Sequence, residues 1–238
     1  ELAKAVTPYD GIYASHMRHE DSRIYEALDE VFRIAREAHL RAEVSHIKLA
    51  GEKSWHQADK VLAYIEKARA ERLDVTQDQY AYTASSTVMR QTIPDYAFDG
   101  GKSTFKDIMA QPEKKANLVA DMKEKIHARG RNDYAYAVIA SYRHDKSYNG
   151  LNIVQAAKKM RGADTLEDQI ETILEIEKNG GASGVFHGMN EDDLATFMRP
   201  TLTVVDGVRV LLRNGPQGGN VDDTRRMNTV VATIDQVA

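Results

Sequence analysis

Cysteine is absent from this chain of 238 residues, which excludes disulfides, a thiolate metal site and a cysteine nucleophile. No large excess of charge of either sign is present: 32 Lys and Arg stand against 36 Asp and Glu, a formal net charge of -4. That mild acidity provides no electrostatic footprint for nucleic acid or an anionic membrane surface. No apolar run approaches the roughly 18 residues needed to cross a bilayer. With neither cysteine nor a spanning run, cytoplasmic residence is the default expectation; the start at Glu1-Leu2-Ala3-Lys4, without an initiator Met, is that of a processed, truncated or partial sequence, so a missing leader decides little. Low-complexity segments are absent too. What remains is 42% hydrophobic and 29% charged residues, the balance of an ordinary globular protein long enough to bury a sizeable core.

The first third of the chain has a regular rhythm. The apolar run Gly11 to His16 reads as a strand. A helical stripe follows with Ile24, Leu28, Val31, Ile34, Ala35 and Ala38 on one face, and Asp21 or Ser22 as its N-cap. Ala42 to Ile47 is a second strand. Trp55, Leu62, Ile65 and Ala68 mark a second helix, with Ser54 and Gln57 at the spacing of a capping box. Leu73 to Asp78 is a third strand. Strands alternating with helices at about 30 residues per unit predict a parallel α/β sheet.

After Tyr82 the rhythm breaks. Residues 88–198 read as a long helical insertion, with helices around 112–128, 151–160 and 166–179 and a strand over Tyr134 to Ser141. Leu202 to Asp206 reads as a last strand, 214–220 as a loop, and 224–238 shows no period. The expected organisation is therefore 1–87 as the βαβαβ part, 88–198 as insertion, and 199–238 as the last strand with a C-terminal segment.

Three strands and the last apolar run end in His16, His46, Asp78 and Asp206. In parallel α/β folds ligands gather at the carboxyl ends of the strands. Neighbouring strands lie about 4.8 Å apart, so His16 and His46 are placed to converge on one metal ion, with bonds of about 2.0 to 2.1 Å for zinc. A nearby carboxylate would bind that ion or take a proton from water, the equipment of a metal-dependent hydrolase. Side-chain alternation puts Arg18 with His16, Lys48 with His46, and Tyr80 and Tyr82 with Asp78. His19, His39, His56, His127, His144 and His187 lack an equivalent position.

At these residues the sequence resembles the N-acyl-D-amino-acid deacylases (D-aminoacylases) of the amidohydrolase superfamily. The resemblance runs through Tyr13-Ala14-Ser15-His16-Met17-Arg18-His19-Glu20, Val44-Ser45-His46-Ile47-Lys48-Leu49-Ala50-Gly51, and the block from Asp74 to Thr87. A weaker match covers Met189 to Asp193, Phe197 to Arg199 and Thr203 to Gly207. It implies part of a (β/α) barrel of the TIM type, strands five to eight, with the insertion before the last strand. It also implies zinc or another divalent metal, and an N-acyl-D-amino acid as substrate. His16 and His46 match the family's metal-binding histidines. Lys48, Tyr80 and Ser86 match residues that hold the substrate carboxylate and adjacent polar groups. Asp206 matches the carboxylate that moves a proton from water to the leaving amine, and Asp78 is left with a structural part.

The sequence departs from the family in several places. No His-x-His or His-x-Asp motif precedes His16, and the family's fourth-strand bridging ligand has no counterpart. Val205 stands where Ser is usual, Ala81 where Pro is usual between the tyrosines, and Gly215-Pro216-Gln217 where His-Pro-Arg is usual. Two histidines fall short of the three protein ligands typical of catalytic zinc, so the chain by itself is expected to hold metal weakly and turn over little. Alternatives are ring opening of the dihydroorotase or hydantoinase kind, or a noncatalytic binding or assembly module. The partner would then be a second copy or a separate N-terminal half.

Overall fold

The computed structural model describes residues 2–79, 82–199 and 203–205. In chain order the elements are β1 (Ile12–Ser15), α1 (Ile24–Ala38), β2 (Arg41–Val44), α2 (Ala58–Ala70), β3 (Val75–Gln79), β4 (Ser85–Val88), α3 (Lys102–Ala110), α4 (Pro112–Ala128), β5 (Ala137–Ser141), α5 (Ile153–Arg161), α6 (Leu166–Lys178), β6 (Ser183–Phe186), α7 (Glu191–Phe197) and β7 (Thr203–Val205). They divide into two units: Glu1–Thr83 with Met189–Ala238, and Ala84–Gly188.

The first unit is built on a parallel sheet of order β1-β2-β3-β7, with Val44 opposite Gln77 and Gln79 opposite Val205. Its physical basis is legible in the side chains. Ala42, Val44 and Val75 share one core with Leu28, Val31, Phe32 and Ala35 of α1 and Val61, Ile65 and Ala68 of α2. Those helical positions recur at three- and four-residue spacing, so each helix presents one apolar stripe. Ile12 and Ala14 of β1 are exposed.

Both helix starts differ from expectation. α1 begins at Ile24 with no side-chain cap; Asp21 instead accepts from the Arg23 amide at 3.1 Å in the turn just before. Ser54 caps nothing, because it lies in a short 3-10 turn and α2 begins only at Ala58. The α2 N-terminus is satisfied from a distance: the Asp193 carboxylate accepts from the amides of His56 at 2.8 Å and Ala58 at 3.1 Å. Asp193 is buried, and a carboxylate at a helix N-terminus also meets the positive end of the helix dipole. Asp193→Ala strands two inner amide donors and is expected to destabilise the first unit by about 2 kcal/mol, the upper end for a lost cap. Urea unfolding checks this, with Asp193→Asn losing less.

The second unit surrounds an antiparallel sheet of order β4-β6-β5. Helices α4, α5 and α6 lie within a residue or two of the predicted ranges, and β5 occupies the end of the predicted strand. α5 and α6 each open on a capping box, Asn152 with Gln155 and Thr165 with Asp168. Gly162 ends α5 at φ 82°, a backbone region glycine enters without a Cβ penalty. The core joins Leu118, Met122 and Ile126 of α4 to Ile170, Ile173 and Leu174 of α6 under Ile139 and Phe186.

Candidate metal centre

The site begins where β1 and β2 run out. β2 was expected to continue through Ile47, but it ends at Val44, and Ser45 and His46 form a turn. His46 has φ 44°, a left-handed conformation uncommon outside glycine, though asparagine, aspartate and histidine enter it more readily than other residues. Three hydrogen bonds hold it there. The Ser45 amide donates to the Ser15 carbonyl at 3.1 Å, the Ile47 amide to the Asp78 carbonyl at 2.9 Å, and the His46 amide to the Asp78 carboxylate. The turn is thus clamped between the ends of β1 and β3. Asp78, buried in β3, supplies the carboxylate of that clamp and so has a positional part to play.

The clamp aims the His46 ring at His16, the residue that follows β1. Nδ1 of His16 and Nε2 of His46 face each other in direct contact, with ring centroids 4.4 Å apart. Behind His46 lies a charged cluster of Lys48, which the sequence singled out, and Glu20, which it did not. Lys48 Nζ stands 2.6 Å from Glu20 Oε1, 2.7 Å from His46 Nδ1 and 3.0 Å from the His46 carbonyl. Glu20 Oε1 is 3.0 Å from His46 Nδ1. Burial works to raise the Glu20 pKa, but the hydrogen bond from His46 and the charge and hydrogen bond of Lys48 outweigh it and leave the carboxyl below its ordinary value. Glu20 lies four residues beyond His16 in the same block, but nothing in the pattern of the sequence marks its contact with His46.

Arg18 turns away to a bidentate ion pair with Glu30 of α1, at 2.8 and 2.9 Å. Ser86 is exposed on β4 of the second unit, in register with Val185. Tyr80 and Asp206 lie outside the described residues. Two opposed imidazole nitrogens suit a zinc ion as a ligand pair. Among the described residues no group of three or more His, Cys, Asp or Glu is arranged to hold a metal. No helix there is long and apolar enough to cross a membrane.

Comparison with known proteins bears on the same blocks. No protein-family model matches the chain. A D-aminoacylase of Alcaligenes xylosoxydans xylosoxydans is 34% identical over 134 residues, 56% of this chain and 26% of the relative. An N-acyl-D-aspartate deacylase of the same organism is 39% identical over 79 residues, 33% of this chain and 16% of the relative. Over these stretches the chain is similar to N-acyl-D-amino-acid deacylases. It spans about a quarter of the length of the first of them. Among solved structures, a D-aminoacylase described for its binuclear metal centre matches with a TM-score of 0.61 at 19% identity, over 98% of this chain and 44% of that one. An N-acyl-D-glutamate deacylase from Bordetella bronchiseptica, solved with zinc and a phosphonate inhibitor, matches with a TM-score of 0.61 at 18% identity, over 100% of this chain and 45% of that one. The mixed α/β architecture is that of the deacylase fold.

Proposed function

We propose that this chain is part of a metal-dependent amidohydrolase that cleaves the amide of N-acyl-D-amino acids. The observation that carries this reading is the convergence of His16 Nδ1 and His46 Nε2 at the ends of adjacent parallel strands. In this proposal β1, β2, β3 and β7 are strands five to eight of a (β/α) barrel. β1 stands at the edge of the described sheet, where the next strand of such a barrel would pair.

His16 and His46 would hold zinc or another divalent ion, which when bound supplies Lewis-acid polarisation of the scissile carbonyl. Asp206 would accept a proton from water and return it to the leaving amine. Lys48, Tyr80 and Ser86 would meet the substrate's carboxylate and neighbouring polar groups. Lys48 already points at Glu20 and His46, so a substrate carboxylate would have to exchange with one of those partners.

The test is an assay of the zinc-supplemented chain against N-acyl-D-amino acids, their L-enantiomers and cyclic amides. Slow release of the free D-amino acid, abolished in Asp206→Asn, is the expected result. Preference for the L-enantiomer or for ring opening contradicts it.

A further inference from the structure

We infer that Glu20 is a positioning residue that selects which ring nitrogen of His46 carries the proton. The Glu20 carboxylate at 3.0 Å and the Lys48 ammonium at 2.7 Å both meet His46 Nδ1, while Nε2 faces His16. A neutral imidazole has one N–H and one lone pair, so the cluster has two possible arrangements. In the first, Nδ1–H donates to Glu20 and the lone pair of Nε2 faces His16. In the second, Nδ1 accepts from Lys48, Nε2 carries the hydrogen, and His46 becomes a donor toward Nδ1 of His16. Only the first leaves Nε2 able to ligate a cation, because a protonated ring nitrogen has no lone pair to give.

Glu20 tips this choice by chemistry and by placement. An ionised carboxylate only accepts, so it accepts from Nδ1–H and draws the Lys48 ammonium to itself at 2.6 Å. Its loop is also fixed: the Glu20 carbonyl accepts from the Ala50 amide at 2.7 Å, tying the segment after β1 to the segment after β2. Without the carboxylate, Nδ1 accepts from the Lys48 ammonium at 2.7 Å and the ring takes the second arrangement. The consequence for metal binding rests on reading His16 and His46 as the ligand pair; the tautomer itself does not.

The experiment is nitrogen-15 NMR of the His46 ring in the metal-free 238-residue chain, at pH of about 8.5, two units above the ordinary histidine value. Wild type and Lys48→Met are expected to show hydrogen on Nδ1, and Glu20→Ala to show it on Nε2. Glu20→Gln, whose amide oxygen still accepts, keeps more Nδ1–H than Glu20→Ala and guards against loss of fold, which the dispersion of backbone amide signals monitors. Zinc affinity is then expected to fall about 10- to 100-fold in Glu20→Ala, the usual effect of removing a ligand's hydrogen-bond partner. Hydrogen on Nε2 in wild type, or one tautomer shared by wild type and Glu20→Ala, overturns the inference. Hydrogen on Nδ1 in a wild-type chain that takes up no zinc sinks the metal reading and leaves the positioning role standing.

Discussion

Replacing His46 by asparagine is expected to weaken zinc binding by more than the roughly 10- to 100-fold that follows loss of an outer hydrogen-bond partner, because a ligand itself is removed. Asparagine is the informative substitution. His46 sits at φ 44°, where alanine would carry the Cβ strain of a left-handed backbone and asparagine is tolerated. The backbone hydrogen bonds to Ser15 and Asp78 that hold the turn do not involve the ring. The ring itself is only 11% exposed and meets Lys48 and Glu20, so a moderate stability loss of about 1 to 3 kcal/mol is expected, while metal affinity collapses. His16→Ala should lose metal affinity alike, since His16 contributes the opposing nitrogen from an exposed position. Equilibrium dialysis against zinc alongside urea unfolding separates the two effects, and a His46→Asn chain that binds zinc as well as wild type would rule out this pair as ligands.

Phe197→Ala carries the largest expected loss of stability, about 3 to 5 kcal/mol. The ring closes α7 and is 1% exposed within the core that Val61, Ile65 and Phe32 form in the first unit. Removing it deletes a large buried apolar surface and leaves a cavity that rigid helices fill poorly. Domains of this kind are stabilised by only about 5 to 15 kcal/mol, so a shift of this size is a large fraction of the total. It should appear as a lowered urea midpoint, whereas Val88→Ala, at a side chain 50% exposed, should change the unfolding free energy by less than about 0.5 kcal/mol.

These two residues also show what the sequence reveals and what it conceals. The helical stripes of Ile24 to Ala38 and the later helices were readable because a 3.6-residue period survives wherever one face of a helix is buried. His16 and His46 were readable as strand-end residues for a similar reason, since the period of the βα units puts them at equivalent points. The antiparallel partners β4 and β6 were not readable: each has four residues, and their pairing joins segments nearly a hundred positions apart. Distance in sequence also hid the cap of α2, for the carboxylate that fills it comes from Asp193 rather than from neighbouring Ser54. Glu20 escaped notice because its importance lies in facing Lys48 and His46 across the loop, which no periodicity encodes.

The most direct measurement is the anomalous scattering of zinc in a crystal of this chain, recorded on both sides of the metal's absorption edge. The account predicts a peak within about 2.0 to 2.1 Å of both His16 Nδ1 and His46 Nε2. A peak held by other histidines, such as His144 or His187 of the second unit, or none beside residues 16 and 46, would contradict it.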